Sequence, residues 1–333
     1  MKKLLFVSIF MALVFSSCGQ TTTPDKGGVD AEVDSYLAKY IVDGSVDWSN
    51  CSDKEIKDIY NHLTIYANKG HAESMYYLAF MYQYGSGNIN KDYDKSFYWY
   101  LKAAELGHEP SMKEVATSYL MGKNDWYCNQ TKNLHKAEKW LLLLVDKGNV
   151  DALNDLGYLY HLGCGKGTIW DDPEDDFPPD INKAVAKYSQ AANQGNPYAM
   201  YNLGELYKDE FHDAEKAMEW YERAIKFGSC DAARSLGLLY YYGDEDLRAF
   251  PAHVEVDYKK ALDYFEKELE LSDSDFGAES AKEHIAETNY ELGRMYEYGL
   301  GCKRDLPEAI KYYRIAVEYG NEEARERFEL LTK

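Results

Sequence analysis

The chain has 333 residues, with 37 Lys+Arg against 57 Asp+Glu and a formal charge of −20. No basic face is visible in it, which argues against nucleic acid and against membrane contact through a basic patch. It is rich in tyrosine, with 31 copies, and most of these fall into the recurring pattern described below.

Lys2 and Lys3 precede an apolar run from Leu4 to Phe15, and Ser16, Ser17 and Cys18 follow. A basic start, a short apolar stretch and small residues predict a secretory leader over residues 1–17. The run is too short to cross a bilayer as a helix. A cysteine directly after two serines resembles a lipobox, with Cys18 as the lipidated first residue, although Phe15 departs from the usual pattern. Cleavage after Gly19 is the alternative that the same residues allow. Removal of Lys2 and Lys3 would leave a formal −22. Residues 18–29 read as lipidated Cys18 and a polar tether containing Pro24, Gly27 and Gly28. The expected location is a bacterial cell envelope, lipid-anchored and on the outer membrane, with no other membrane contact.

Residues 30–70 read as a cap and a degenerate repeat. Ala31 to Val42 is expected to be helical, and Asp53 to Lys69 carries a weakened second-helix pattern through Ile59, Leu63, Tyr66 and Ala67.

From there one unit recurs over residues 71–320. Gly70, Gly107, Gly148, Gly195, Gly228 and Gly320 each follow an amphipathic segment, with Ser272 in the same place once. Before each glycine, small residues (Ala137, Ala184, Ala217, Ala261, Ala309) are followed at three and four residues by large ones (Trp140, Leu141; Trp220, Tyr221; Tyr312, Tyr313). Small or apolar pairs follow at seven and eight, such as Ala103–Ala104 and Ala191–Ala192. These offsets share one face of a helix. The glycine is expected at its C-cap, where left-handed backbone is cheap only without a Cβ.

A second helix follows each glycine, patterned small-x-x-x-Leu-small-x-x-Tyr. Examples are Ala199-Leu203-Gly204-Tyr207, Ala232-Leu236-Gly237-Tyr240 and Thr288-Leu292-Gly293-Tyr296. Unequal spacings of an unchanged pattern mean one unit copied, with loops of varying length, which is the signature of a helical solenoid. Residues 321–333, with Ala324 and Phe328 at helical spacing, read as a capping helix.

These residues resemble Sel-1-like repeats, relatives of the tetratricopeptide repeats, and with the N-terminal signal the chain is similar to a bacterial lipoprotein of that type. The best match is "LGRMYEYGLGCKRDLPEAIKYYRIAVEYGN", Leu292 to Asn321, and the likeness covers roughly Cys51 to Lys333. It implies an all-α, α/α superhelical solenoid of about six helix-turn-helix repeats with capping helices. It also implies an adaptor role for protein complexes and assigns no activity.

A search for chemistry returns little. There is no H-E-x-x-H, no C-x-x-C and no serine with lysine three residues later. No catalytic residue, cofactor or metal is expected, and the chain reads as no enzyme. An envelope enzyme acting on cell-wall or β-lactam substrates is the alternative class. Gly163 to Thr168 superficially suggests a phosphate loop, but Gly167 separates Lys166 from Thr168 and no strand precedes it. The insertion from Thr168 to Pro179 holds Asp171, Asp172, Glu174, Asp175 and Asp176. It reads either as a solvated acidic loop or as a cation site. Apart from Cys18, five cysteines remain, and most are expected to be small packing residues.

The expected binding surface lies on the second helices. Counted from the Leu column, the core centres near 50° and offsets −2 and +2 point to about 160° and 200°. Those offsets place Tyr76, Phe80, Asn154, Tyr158, Tyr201, Arg234, Tyr290 and Arg294 on a concave groove, by likeness to tetratricopeptide solenoids. Tyrosine and arginine suit interface hot spots, so the expected ligand is a peptide or protein.

Overall fold

The computed structural model describes Tyr36, residues 41–42, 45–46, 51–122, 132–163, 176–243, 254–272 and 279–333. Fourteen helices occupy these residues. They are α1 (Asp53–Asn68), α2 (Ala72–Tyr84), α3 (Tyr93–Glu105), α4 (Glu109–Met121), α5 (Leu134–Asp146), α6 (Val150–Leu162) and α7 (Ile181–Asn193). They continue with α8 (Pro197–Asp209), α9 (Ala214–Lys226), α10 (Cys230–Tyr242), α11 (Tyr258–Ser272), α12 (Glu279–Tyr298), α13 (Leu306–Glu318) and α14 (Glu322–Thr332). The fold is all-α, of the α/α solenoid class. One small departure is an antiparallel ribbon of β1 (Ile41–Val42) and β2 (Ser45–Val46), with Ile41 opposite Val46. The helix expected over Ala31 to Val42 does not include Ile41–Val42, and residues 31–35 and 37–40 lie outside the described residues. β-branched residues flanking an Asp43-Gly44 dipeptide favour a hairpin over a helix end.

Each helix pair is joined at two kinds of corner, and both follow from side-chain chemistry. At the tight corner the glycine lies one residue beyond the expected C-cap. Leu106 caps α3, and Gly107 follows with φ +87°. His108 N–H then donates back to the Ala103 carbonyl at 3.2 Å, and Gly107 N–H to Ala104 at 2.9 Å, the paired bonds of a Schellman end. The next residue is already the N-cap of the following helix. His71, His108, Asn149, Asn196, Ser229 and Asn321 all hold this place, and each accepts a hydrogen bond from the N–H three residues on. Two residues thus end one helix and start the next. At His108, Nδ1 accepts from Ser111 N–H, so Nε2 carries the proton and meets Glu73 at 2.8 Å.

The wider corner is built on the second-helix tyrosine. The N–H of the residue before each new first helix donates to that tyrosine's carbonyl. The pairs are Asp92 to Tyr82, Asn133 to Tyr119, Asp180 to Tyr160, Asp213 to Tyr207, Asp257 to Tyr240 and Asp305 to Tyr296, at 2.8–2.9 Å. In five repeats a lysine one turn into the new helix lies over the same ring. Lys95, Lys136, Lys183, Lys216 and Lys260 stand 4.6–5.3 Å from the ring centres.

The helices form two compact units that divide between Lys187 and Tyr188. In the N-terminal unit, Ile59 and Leu63 of α1 are fully buried against Leu78 and Met81 of α2. Buried Ile56, Ile59, Leu63 and Ala67 give α1 the first-helix spacing, and α1 ends at the Gly70 corner. It is therefore a first helix, where the weakened pattern had suggested a second. In the C-terminal unit the large first-helix residues seat on the small second-helix residues. A Cβ built on Gly237 would lie 2.6 Å from the Phe265 ring, and one on Gly293 would lie 2.6 Å from Tyr313. Gly204 stands likewise under Tyr221.

Candidate binding face

In the N-terminal unit, α2 presents an aromatic stripe one turn apart: Tyr76, Phe80 and Tyr84. Phe80 and Tyr84 rings are 4.5 Å apart. The Tyr76 ring lies 5.6 Å from Tyr100 and 5.2 Å from His108. Tyr84 is exposed, while Tyr76 and Phe80 are half-buried. Burial pushes the Tyr84 hydroxyl up to about 12, and the Glu114 carboxylate adds to the shift.

Further along the same unit, α6 carries Asn154 and Tyr158. Asn154 is only 2% exposed, and its Nδ2 donates to Asp155 at 3.5 Å. Tyr158 is half-buried, and burial raises its hydroxyl to about 12. Burial likewise lifts Asp155 to about 6, against the pull of Lys113, whose ammonium is 4.0 Å from Asp151.

In the C-terminal unit, Tyr201 on α8 is 8% exposed and lies 6.0 Å from the Tyr221 ring. Burial, then the charges of Glu205 and Asp231, keep its hydroxyl protonated. Arg234 on α10 pairs with Glu287 and approaches Glu268 at 4.0 Å. Tyr290 on α12 lies 6.0 Å from Tyr313. Arg294 bonds Glu291 at 3.0 Å, with its guanidinium 5.7 Å from Tyr241 and 5.8 Å from Tyr290.

Each unit therefore gathers its own share of the expected residues on its second helices. Asn154 and Tyr201 offer little surface to a partner, because they fill space between helices. Tyr76, Phe80, Tyr158, Arg234, Tyr290 and Arg294 keep partial access. The face also holds residues that the sequence reading did not name. Tyr242 is exposed and donates to Glu291 at 3.0 Å, and Glu205 accepts from Tyr221. Glu205 and Glu291 sit at offsets +2 and −1. The first shares its column with Phe80, Tyr158 and Arg294 but was not among the residues chosen. The second lies about 260° around the helix, past the angles considered.

Among the described residues no group of three or more His, Cys, Asp or Glu is placed to hold a metal ion. Nor is any helix among them long and apolar enough to cross a membrane. Residues 164–175, with most of the acidic insertion and the phosphate-loop lookalike, lie outside the described residues, as do Cys18, Cys128 and the leader. Where the insertion returns, Phe177 is buried between Tyr160 (5.9 Å) and His135 (5.0 Å). Cys302 packs into the core cluster of α10–α13, and burial raises the Cys230 thiol to about 12.

The Sel1 repeat pattern matches residues 72–108, 111–149, 150–196, 197–228, 230–267 and 286–321. The chain belongs to the Sel1 repeat family. Chitin synthase regulatory factor 3 of Schizosaccharomyces pombe is 28% identical over 270 residues, covering 79% of this chain and 26% of that protein. Chitin synthase regulator SKT5 of Saccharomyces cerevisiae is 26% identical over 322 residues, covering 85% of this chain and 42% of that protein. The chain thus spans less than half the length of either relative. Among solved structures, a protective antigen of uropathogenic Escherichia coli displaying an SLR fold aligns with TM-score 0.54 and 23% identity. That alignment covers 81% of this chain and 50% of that one. A Sel1 repeat protein from Oxalobacter formigenes aligns with TM-score 0.53 and 22% identity, over 80% and 99%.

Proposed function

We propose that this chain is a non-enzymatic interaction scaffold, binding a protein or extended peptide on the second-helix faces of its repeats. The observation that carries this is the run of part-accessible aromatic and arginine side chains, Tyr76, Phe80, Tyr158, Arg234, Tyr290 and Arg294, at offsets −2 and +2 of the second helices. Such residues dominate interface energies. The regulator names of the fungal relatives support a role in controlling other proteins; chitin synthase itself is a property of those relatives. Replacing Phe80 and Tyr158 together with alanine should remove most partner recovery in a native pull-down while leaving helicity in place. Full recovery with this double variant would defeat the reading.

The lysines, apolar run and Cys18 support a second part of the proposal, anchorage to a bacterial envelope through lipid on Cys18. Several acyl chains hold a protein on a membrane, where one does so only marginally. Cys18→Ser should therefore move the protein into the soluble envelope fraction. Retention in the membrane at unchanged levels would show that Cys18 is not the anchor.

A further inference from the structure

One repeat breaks the apolar rule of the others. Seven residues into the first helix the remaining repeats have Ala103, Leu144, Ala191, Ala224 and Ala316, all fully buried. In α11 this place holds Glu268, which is only 3% exposed. The partner helix changes with it. Three residues before the Leu column stand Met75, Met112, Leu153, Met200 and Ala233, but α12 has Asn289, also buried. Asn289 Nδ2 donates to the Ile285 carbonyl at 2.7 Å, and Thr288 Oγ1 donates to Glu268 at 2.6 Å. The corner differs too. Ser272 replaces the glycine, and α12 starts at Glu279, nearly two turns earlier than the pattern requires. Ile285 occupies the place that is an N-cap in the other repeats. A carboxyl thus lies where the other repeats pack hydrocarbon, bonded by Thr288 from a column where Ser74 and Ser111 are also buried, and the Asn289 amide takes a second place that is apolar elsewhere. Local rules broken together in one place mark a functional device more often than an accident.

We propose that the α10–α11–α12 seam is a protonation-controlled joint, in which the Glu268 carboxyl decides whether the Arg234 guanidinium is drawn inward or left on Glu287. The groups facing Glu268 are Arg234, Asp231 and the Cys230 thiol from α10, and Glu287 and Thr288 from α12. His284 of α12 lies 3.8 Å from Asp231. Arg234 is the one cation named among them, and it stands between a buried acid at 4.0 Å and a half-exposed acid that it already bonds. Protonated Glu268 leaves Arg234 to Glu287. Ionised Glu268 competes for it and places a second charge in the seam. Because Arg234 belongs to the second-helix face, the switch would alter that surface, but the joint itself requires no partner.

The direction follows from linkage. Burial raises Glu268 from 4.5 to about 8, and Arg234 and Thr288 oppose the shift without cancelling it. The folded chain therefore holds a proton that the unfolded chain has lost between these values, and stability falls as pH rises through that window. His284 acts oppositely. Burial and Arg234 lower it from 6.5 to about 4, so its contribution is complete above 6.5 and is lost as pH falls towards 4. Between pH 6.5 and 8 the His284 contribution is constant while Glu268 titrates.

The test is urea unfolding of the full chain at several pH values between 6.5 and 8.5, beside Glu268→Gln. Glu268 should add to the native chain a loss of folding equilibrium of up to about tenfold per pH unit, the slope of one proton, and the variant should lack that part of the slope. Equal slopes would overturn the joint. If Glu268→Gln does not fold, carbon NMR of glutamate-labelled native chain decides instead. One carboxyl titrating above pH 7, with the Arg234 Nε signal shifting at the same midpoint, is the expected result. Glutamates that all titrate below pH 5, or an Arg234 signal indifferent to that midpoint, would refute the proposal.

Discussion

Gly204 has a ring where a side chain would go. Any Cβ there runs into the Tyr221 aromatic edge, and the hydroxyl of that ring is tied to Glu205. Tyr221 is fully buried and cannot move aside. Gly204→Val should therefore cost about 1–3 kcal/mol by overpacking, with a small further loss from helix propensity. Thermal melting should show this as a fall of several degrees, and an unchanged curve would contradict the contact. At this scale the sequence was informative wherever a column repeated. Leu203-Gly204-Tyr207 announces close helix approach by itself. It was silent where a residue broke its column: Glu268 stands seven after Ala261 but was passed over, because a pattern search collects agreements. Asn154 and Tyr201 show the opposite failing. Their helical angle sets them off the Leu column, but both are buried in the fold, with the Tyr201 ring 6.0 Å from Tyr221.

The corners decide how helices follow one another. Asn196 serves α8 by accepting the Ala199 N–H at 2.8 Å, while its own N–H satisfies the Ala191 carbonyl of α7 at 3.1 Å. Asn196→Ala keeps the second bond and removes the first. It should lower stability by about 1 kcal/mol, measured by urea unfolding, and Asn196→Ser should restore most of it. A loss below a few tenths for Asn196→Ala would show that water replaces the cap. The glycine of this corner was legible because φ near +90° leaves a compositional trace. The asparagine, serine and histidine after it were visible as letters, but no single residue type marks the column. The wider corner was less legible still. Its main bond runs between backbone atoms, Asp213 N–H to Tyr207 carbonyl, which no side chain advertises. The lysine over the tyrosine could have been found from the recurrence of lysine three residues after Asp92, Asn133, Asp180, Asp213 and Asp257.

Within each compact unit of the molecule, stability is passed between neighbouring repeats, since each repeat buries its face on the next. Damage at Gly204 is thus expected to loosen α8 to α10 together. Within each unit the second-helix face is built from equivalent positions, a form of surface that suits the proposed recognition of a chain. The repeat architecture was readable because six copies vote on each column. The partner was not, because binding residues are free to differ between copies. Site-specific photocrosslinking in cells that make the protein tests the scaffold claim most directly. A photoreactive residue at Phe80 or Tyr158 should capture a discrete partner, and one at Lys102, exposed on the first helix α3, should not. Capture from Lys102 with none from Phe80 or Tyr158 would contradict the account.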